Sequence, residues 1–250
     1  MKAMILAAGL GTRLRPLTND RPKALVEVAG RTLLEIVLCR LRAFGVREVI
    51  INTHHYAEMI VDYLKANDNF GMRIEVSREE ELLDTGGGLK KAAPFFLDSS
   101  GSSQEPFILH NVDIISAIDI GRMIRFHAER AALATLAVQD RETSRYLLFD
   151  EQRQLYGRRA GRGEEAQLVR PAEQLQPLAF SGIHVISPQI FSKMKEEGAY
   201  SIIDAYLHLA AQGEKVIAFR ADESYWRDLG RPESVIEAAR DMASGRYSEA

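Results

Sequence analysis

The sequence predicts an α/β fold with a mostly parallel central sheet flanked by helices. Two observations lead to this prediction. Short apolar segments alternate with amphipathic segments of helical period through the first 139 residues, which is typical of β-α-β units with right-handed crossovers. In addition, a chain of 250 residues of which 46% are hydrophobic is long enough for one large core, so we expect a single domain.

The first half begins with a buried strand at Lys2–Ala7 and a helix at Thr32–Phe44. The apolar residues of this helix recur at helical spacing, and Gly45 is placed to end it. The Ser-rich segment Asp98–Gln104 has no periodicity and predicts a mobile surface loop. The other elements expected here are strands at Glu48–Asn52, Arg73–Ser77, Phe107–His110 and Ala132–Gln139, and helices at Tyr56–Lys65, Thr85–Phe96 and Ile118–Glu129.

After Asp140 the apolar segments become shorter, which predicts a small β region of hairpins added beside the main sheet. The Gly-rich, charged segment Arg158–Glu165 predicts a second mobile loop, and Gly245–Ala250 predicts a frayed end. The elements expected in this half are short strands at Tyr146–Asp150, Gln167–Val169 and Leu178–Ile186, helices near Ser201–Gln212 and Pro232–Ala243, and a strand at Lys215–Arg220.

Composition excludes several classes of partner. The formal net charge of −3 gives no basic field that would hold a nucleic acid. Cys39 is the only cysteine, so a disulfide framework and a cysteine-based zinc site are both excluded. The apolar run Ala3–Ala8 is shorter than a signal-peptide core, and no run reaches the ~20 apolar residues that cross a bilayer. We therefore expect a cytoplasmic protein with no membrane partner.

The segment directly after the first strand has the composition of a phosphate-binding loop. It reads L-A-A-G-L-G-T-R-L-R-P-L-T from Leu6 onward. Gly9 and Gly11 carry no Cβ, so the backbone can turn sharply and bring N–H groups close to phosphate oxygens. The side chains suited to phosphate are the hydroxyl of Thr12, the guanidinium of Arg13 and the ammonium of Lys23.

Two other interpretations of this segment remain open. One is a tight turn with solvated arginines. The other is a nicotinamide-dependent oxidoreductase, but Leu14 stands where the dinucleotide motif has its third glycine. That class also predicts a carboxylate at the end of the second strand, where this chain has Asn52-Thr53-His54.

The complete segment resembles the opening motif of the sugar nucleotidyltransferase family, L-A-A-G-x-G-T-R-L-x-P-L-T followed by P-K. The residues from Leu6 to Thr18 and the pair Pro22-Lys23 match this motif. The resemblance implies a Rossmann-like domain that transfers a nucleotidyl group from an NTP to a sugar 1-phosphate and releases pyrophosphate. It further implies that residues 1–139 form the nucleotide-binding core and that residues 140–250 form the sugar side and complete a metal site. The nucleotide-binding residues implied are Leu6, Ala8, Gly9, Gly11, Thr12, Arg13 and Lys23.

Two aspartates are candidates for binding Mg²⁺. Asp113 follows a buried strand and is expected at its carboxyl end, where ligands bind in such sheets. Asp228 lies in the segment Y-W-R-D-L-G. Each alone also fits a helix cap or a surface carboxylate. Both segments resemble family elements, N-G-D and W-x-D-x-G, although Val112 occupies the glycine position of the first. The resemblance implies that Asp113 and Asp228 hold Mg²⁺, that Asn111 contacts substrate, and that the catalytic set is Arg13, Lys23, Asp113 and Asp228.

Further motifs concern the base and the sugar. The segment L-L-D-T-G-G-G resembles the part of the family that touches the nucleobase, which implies contacts from Thr85, Gly86 and Gly87; a flexible capped loop is the alternative. Gly182 resembles a family glycine beside the sugar. Arg170 occupies the place of the lysine in the Glu-Lys-Pro element that many members carry, which implies that Arg170 contacts a phosphate, although no glutamate precedes it.

The short chain, the D-T-G-G-G element and the segment N-T-H-H are similar to the bacterial N-acetylmuramate 1-phosphate uridylyltransferase group, which implies UTP. The alternatives are a GTP- or CTP-dependent transferase of another sugar or alcohol phosphate, and a non-catalytic module that binds nucleotide sugars. A homo-oligomer is a further expectation. The adjacent His54 and His55 have no third ligand at a suitable spacing, so we interpret them as strand-end residues rather than as a metal site.

Overall fold

The computed structural model describes residues 1–97, 104–161, 163–172 and 174–247. Most of the loop predicted at residues 98–104, one position of the loop at residues 158–165 and the last three positions of the chain therefore lie outside the described residues. The strands are β1 Lys2–Leu6, β2 Glu27–Val28, β3 Arg31–Thr32, β4 Glu48–Thr53, β5 Arg73–Arg78, β6 Phe107–Asn111, β7 Ile114–Ser116, β8 Ala134–Gln139, β9 Tyr146–Phe149, β10 Leu155–Arg159, β11 Ala166–Leu168, β12 Gln176–Ile186, β13 Val216–Arg220 and β14 Trp226–Asp228. The α-helices are α1 Leu33–Ala43, α2 Ala57–Ala66, α3 Asp84–Lys91, α4 Ala93–Phe96, α5 Ile120–Glu129, α6 Ile190–Lys193, α7 Ile202–Ala211 and α8 Pro232–Ala243.

The prediction of a mixed α/β fold with a mostly parallel central sheet is confirmed. Strand β4 pairs in parallel with β1 and with β5, and β13 pairs in parallel with β8. The chain separates into two compact units that interleave along the sequence. The first unit contains Met1–Asp84, Leu109–Ile118 and Ser224–Ala250, and the second contains Thr85–Ile108 and Asp119–Glu223.

In the first unit, β1 lies beside β4 and β4 beside β5, with Leu6 paired to Asn52 at the carboxyl ends of the strands. Three consecutive residues of β1, Ala3 to Ile5, are fully buried, as expected for a strand covered on both faces. Helix α1 begins where the Thr32 hydroxyl accepts a hydrogen bond from the Glu35 amide at 3.1 Å. The helix ends before Gly45, which has a left-handed φ of 85°.

In the second unit, β12 is the longest strand and pairs antiparallel with β8 and with β9. Strands β9, β10 and β11 continue as an antiparallel meander. This meander is the small added β region that the short apolar segments predicted. Helix α5 packs on β8, and helix α7 packs on β10 and β13.

One predicted helix differs from the structure. The helix expected at Thr85–Phe96 is divided at Ala92 into α3 and α4, because Pro94 lacks an amide proton and its ring obstructs the preceding turn. The compact units do not divide between residues 139 and 140, since the first takes in Ser224–Ala250 and the second begins at Thr85. The division of function between residues 1–139 and residues 140–250 stays a prediction. Within the described residues, no helix has the length and apolar composition needed to cross a bilayer.

Candidate active site

Two glycines in the loop that follows β1 have different physical roles. Gly11 has a left-handed φ of 64°, and a Cβ there would lie 3.0 Å from the Cγ2 of Thr18. The Thr18 hydroxyl also donates to the Gly11 carbonyl at 2.8 Å, which fixes the turn. A Cβ at Gly9 would meet no other atom within 4 Å, so glycine at this position leaves open space in front of the backbone. After Gly11, a short 3-10 helix carries the exposed Thr12 and Arg13.

Lys23 and Asp113 form an ion pair at the carboxyl end of the first unit's strands. Lys23 opens a second 3-10 helix after Pro22, and its Nζ contacts the Oδ2 of Asp113. Both side chains are mostly buried, at 13% and 15% exposure. Water screens a mostly buried ion pair only weakly, so the two charges attract each other strongly. This attraction restricts the position of each side chain.

A two-stranded antiparallel ribbon brings Asp228 to Asp113. Strand β7 begins directly after Asp113 and pairs with β14, so that Asp228 lies opposite Ile114. The Leu229 amide donates to the Asp113 carbonyl at 2.8 Å and extends this pairing by one residue. The sequence pattern predicted neither β7 nor β14, because three-residue strands have too few residues for a period.

Gly230 completes the arrangement by leaving room for two side chains. Its amide donates to the Oδ1 of Asp228 at 2.7 Å. A Cβ at Gly230 would lie 2.8 Å from that oxygen and 3.2 Å from the Nη2 of Arg13. Arg13, Lys23, Asp113 and Asp228 are thus brought together, as the sequence analysis predicted, although their roles in catalysis stay predictions.

A second ion-pair cluster fixes strand β14 to helix α8. Between Trp226 and Asp228, the side chain of Arg227 donates from Nη2 to the Oδ2 of Asp241 at 2.6 Å and from Nε to the same oxygen at 3.1 Å. The hydroxyl of Tyr225 donates to this carboxylate at 2.8 Å. These contacts hold β14, and with it the backbone of Asp228.

Electrostatics single out Asp228 within the group. Burial raises its pKa, and the negative charge of Asp113 raises it further; the Gly230 amide, Lys23 and Arg13 oppose this shift. A half-buried carboxylate beside a second carboxylate is a place where a divalent cation is electrostatically favoured.

The two carboxylates also fit the coordination of Mg²⁺. Magnesium commonly binds to one or two carboxylates and completes its shell with waters and substrate phosphates. Across residues 1–97, 104–161, 163–172 and 174–247, no cluster of three or more His, Cys, Asp or Glu side chains is arranged to hold a metal by itself. Asp113 and Asp228 would therefore hold the ion together with a phosphate-bearing ligand.

The other residues predicted in the first unit lie around the ends of β1 and β6. The Leu6 carbonyl accepts from the Val112 amide at 3.1 Å, and Ala8 is buried. Val112, which replaces the family glycine, is itself buried, so its side chain faces protein. Asn111 is half-buried at the last position of β6.

The predicted base-side residues belong to the second unit, where contacts within the protein occupy them. The amide of Gly86 donates to the Tyr200 carbonyl at 2.8 Å, and the Gly87 amide approaches the same oxygen at 3.4 Å. The Thr85 hydroxyl accepts from the Ile202 amide at 2.9 Å. A Cβ at Gly86 would lie 2.3 Å from the Tyr200 ring, so close packing alone requires glycine here. The Gly86 amide thus already has a partner within the protein, and the contacts of Thr85, Gly86 and Gly87 with a nucleobase stay predictions.

The two predicted sugar-side residues are also in the second unit. Gly182 has a left-handed φ of 74° at an irregular position of β12, a conformation that favours glycine. Arg170 donates from Nη2 to the Leu155 carbonyl at 3.1 Å, and its guanidinium lies 4.2 Å from the centre of the Tyr156 ring. The structure therefore gives Arg170 partners within its own unit, and a phosphate contact from it stays a prediction.

Comparison with known proteins decides the family. The family model described as nucleotidyl transferase matches residues 2–245. The chain belongs to the nucleotidyl transferase family. Its similarity to individual relatives extends over the same length. It is 34% identical to the N-acetylmuramate alpha-1-phosphate uridylyltransferase of Caulobacter vibrioides, covering 96% of each chain. It is 31% identical to mannose-1-phosphate guanylyltransferase 1 of Arabidopsis thaliana, covering 96% of this chain and 64% of the plant protein.

Solved structures support the fold of this nucleotidyltransferase. HddC from Yersinia pseudotuberculosis, in a complex with GMP-PN, superimposes with a TM-score of 0.75 at 22% identity, covering 96% of this chain and 99% of that one. A UDP-glucose pyrophosphorylase complexed with UDP-glucose superimposes with a TM-score of 0.77 at 18% identity, covering 98% and 99%. At these identities the likeness concerns the fold alone.

Sequence reasoning missed two buried residues of the nucleotidyltransferase that contact its glycine loop and the segment before the D-T-G-G-G element. These are Asn52 and Glu79, which are only 2% and 4% exposed. The sequence places Asn52 at the end of a strand, where a dinucleotide site would carry a carboxylate, and within the N-T-H-H segment, but it assigns no contact to Asn52 and no role to Glu79. The sequence signal that could have identified Asn52 is a polar residue at the end of an apolar strand. This signal does not identify the group to which the side chain binds.

Proposed function

We propose that this chain catalyses uridylyl transfer from UTP to a sugar 1-phosphate, with formation of a UDP-sugar and pyrophosphate. The observation that supports the proposal most strongly is the convergence of Arg13, Lys23, Asp113 and Asp228 beside an open glycine loop. The uridylyl preference rests on the Caulobacter vibrioides relative, which matches over 96% of both chains. That relative also makes N-acetylmuramate α-1-phosphate the first acceptor to try.

Nucleotidyl transfer requires positioning and charge neutralisation more than an activated nucleophile. A phosphate oxygen of the sugar 1-phosphate, already anionic, attacks the α-phosphorus in line while pyrophosphate leaves. We assign Arg13 to the triphosphate, because its exposed guanidinium matches phosphate oxygens in pairs. Lys23 is assigned to the charge that develops at the reacting phosphates, and its ion pair with Asp113 orients it.

Asp113 and Asp228 are assigned to a bound Mg²⁺. When bound, the ion neutralises negative charge on the phosphates and helps to align them. The cation would favour the ionised form of Asp228, because burial and the neighbouring Asp113 both raise the pKa of this carboxyl in the protein alone. A divalent metal should therefore bind more tightly in the presence of a nucleotide than in its absence.

Guanylyl transfer to mannose 1-phosphate is the second candidate. It is favoured by the Arabidopsis thaliana relative, which matches 96% of this chain at 31% identity. A CTP-dependent transferase and a non-catalytic nucleotide-sugar-binding module follow as alternatives. The presence of two cations and two carboxylates in one cluster favours catalysis over simple binding. The cytoplasmic location and the homo-oligomer expected from the sequence stay predictions.

A substrate matrix tests the proposal. Pyrophosphate release is measured with Mg²⁺ for each of UTP, dTTP, GTP and CTP against N-acetylmuramate, glucose and mannose 1-phosphates. We expect the highest kcat/KM with UTP, and loss of activity when a chelator removes the metal. A preference for GTP with mannose 1-phosphate would select the second candidate. If no pair of substrates in this panel releases pyrophosphate, the proposed activity is contradicted for these substrates.

Variants connect any activity to the cluster. Asp113→Ala should lower kcat/KM by about 10²-fold or more, because a misplaced or missing catalytic contact costs on this order. Asp62→Asn is the matched control, since Asp62 is exposed on α2. Equal activity of Asp113→Ala and the control, with both proteins folded, would contradict the assigned role.

A further inference from the structure

Strand β11 in the second unit has a neighbouring strand on one edge only. It covers Ala166–Leu168 and pairs antiparallel with β10 alone among the described strands. All three residues are exposed, and Leu168 is 43% exposed. The free edge of an outer strand presents unpaired N–H and C=O groups, which can pair with another extended chain. The free edge of β11 is therefore a surface to which a further strand can be added.

The pairing with β10 determines which backbone groups of β11 face outward. In an antiparallel pair, residues that exchange hydrogen bonds with the opposite residue alternate with residues that do not. The Val169 amide donates to the Tyr156 carbonyl of β10 at 2.9 Å. Gln167 lies two residues earlier and therefore also directs its N–H and C=O groups toward β10. The N–H and C=O groups of Ala166 and Leu168 consequently point away from β10.

The side chains of β11 do not protect this edge. Many sheets protect an outer strand with charged side chains or proline, which discourage pairing with another chain. Strand β5, which pairs with β4 alone among the described strands, carries the exposed charged residues Arg73, Glu75 and Arg78. Strand β11 reads A-Q-L and has neither a charged residue nor a proline. Its edge can therefore accept a neighbour, whereas the edge of β5 is protected by charge.

A second copy of β11 fits the free edge in one symmetric register. When two β11 strands run antiparallel with their Gln167 residues opposite each other, Ala166 of each copy lies opposite Leu168 of the partner subunit. Both residues of such a pair have outward backbone groups, so each of the two pairs exchanges two hydrogen bonds. This register forms four hydrogen bonds between the three-residue strands, and every other register forms fewer. A twofold axis between the two Gln167 residues relates the copies.

The side chains are compatible with this register. It places the large Leu168 opposite the small Ala166 on one face of the paired strands, where side chains in opposite positions contact each other. The three residues of β11 are uncharged, so identical copies do not repel each other there. Glu164 and Arg170 lie at equal distances in the sequence on opposite sides of Gln167. The symmetric register therefore brings Glu164 of one copy toward Arg170 of the partner subunit, and these charges attract.

We propose that two copies of this chain associate through β11 and form a twofold-symmetric dimer in which the paired β11 strands join the two sheets. The inference is independent of the proposed function, because Arg13, Lys23, Asp113 and Asp228 belong to the first unit and β11 belongs to the second. The paired strands are short, so the dimer is in equilibrium with the monomer, and its population depends on protein concentration.

The variant Ala166→Pro tests the outward hydrogen bonds. It removes an N–H group that does not bond to β10, and proline is tolerated on an outer strand at such a position. Each dimer loses two of its four hydrogen bonds, so we expect the Kd of dimerisation to rise at least about 10-fold. Ala166→Val is the matched control, because it keeps the N–H group and favours a strand. Sedimentation equilibrium at several protein concentrations measures the Kd, and circular dichroism at the lowest concentration checks the fold.

A cysteine at the twofold axis tests the register. The two Gln167 residues form a pair without hydrogen bonds, whose Cα atoms lie about 4.5 Å apart, and a disulfide can span this distance. Gln167→Cys should therefore form a covalent dimer under mild oxidation. Gln152→Cys is the matched control, because Gln152 is exposed in the turn before β10. Neither this control nor the wild type, whose single cysteine Cys39 lies on α1, should form the covalent dimer to the same extent.

Three outcomes would overturn the inference. If the wild type sediments as a monomer at every concentration, two copies do not pair, and the edge of β11 is left for an extended segment of another protein. If folded Ala166→Pro dimerises as tightly as Ala166→Val, the dimer uses another surface. If Gln167→Cys and Gln152→Cys form covalent dimers equally, the proposed register is wrong. The cysteine variants decide the question if Ala166→Pro does not fold. Failure of the proposed function is separate, because none of these measurements requires turnover.

Discussion

Gly230→Ala should separate activity from stability in this nucleotidyltransferase. The added Cβ would lie 2.8 Å from the Oδ1 of Asp228 and 3.2 Å from the Nη2 of Arg13. Ordinary contact between heavy atoms is about 3.5 Å, so the carboxylate oxygen must retreat by roughly 0.7 Å (3.5 minus 2.8). That movement also weakens its 2.7 Å hydrogen bond from the Gly230 amide. The candidate metal ligand is thereby displaced without any change of charge.

The atoms that must move determine the expected changes in kcat/KM and in the free energy of unfolding. A misplacement of about 1 Å at a reacting centre costs on the order of 10²-fold, so we expect kcat/KM to fall between about 10-fold and 100-fold. The atoms in conflict are ends of side chains, and the Gly230 backbone is not left-handed. The free energy of unfolding should therefore change by less than about 1 kcal/mol. Pyrophosphate release and urea unfolding measure the two quantities.

Gly45→Ala is the matched control and should show the opposite pattern. Gly45 has a φ of 85° after helix α1, and a Cβ there meets no other atom within 4 Å. A left-handed alanine costs about 1 to 2 kcal/mol of stability, while activity of the folded protein should be retained. Full activity in Gly230→Ala, or its global unfolding, would refute the role assigned to the close approach of Asp228 and Arg13.

Three further predictions concern stability. Burial lowers the pKa of His127 to about 4 from 6.5. As the pH falls, His127 therefore takes up a proton in the unfolded chain before it does so in the folded protein. The free energy of unfolding should fall by up to about 3 kcal/mol between pH 6.5 and pH 4. His127→Gln should reduce that slope in urea unfolding, and an unchanged slope would exclude this histidine as its source. Asp241→Ala removes the buried partner of Arg227 on β14, so it should lower the free energy of unfolding by about 2 to 4 kcal/mol and should lower kcat/KM. Arg246→Ala is the control. It loses a 3.4 Å contact with Asp241 and should lower the free energy of unfolding by less than about 0.5 kcal/mol. Gly86→Ala places a Cβ 2.3 Å from the Tyr200 ring and 2.9 Å from its carbonyl, and thermal unfolding should show a loss of about 1 to 3 kcal/mol; an unchanged Tm would contradict this packing.

Local patterns predicted the larger elements well. The apolar period placed α1, and the Pro232 start and length of α8 agree with the structure. The chain after Lys2 was expected to be a buried strand followed by a glycine loop, and it is. These predictions succeed because burial on one face of a helix, or on both faces of a parallel strand, leaves a period or an apolar run in the sequence. Where a helix is interrupted, as at Ala92, the period continues and hides the break.

The sequence by itself determined the order of the longer strands and helices, the glycine loop after β1 and the family to which the chain belongs. Only the tertiary structure decided that β7 and β14 pair and place Asp228 beside Asp113, and that Asn52 joins Ala7 to Glu79. The physical reason is that hydrogen bonds between distant segments depend on register and on which partner is within reach. Neither the register nor the distance between two segments produces a periodic pattern in the sequence. The type of a residue determines which groups it can bind, but not which group lies next to it in the fold.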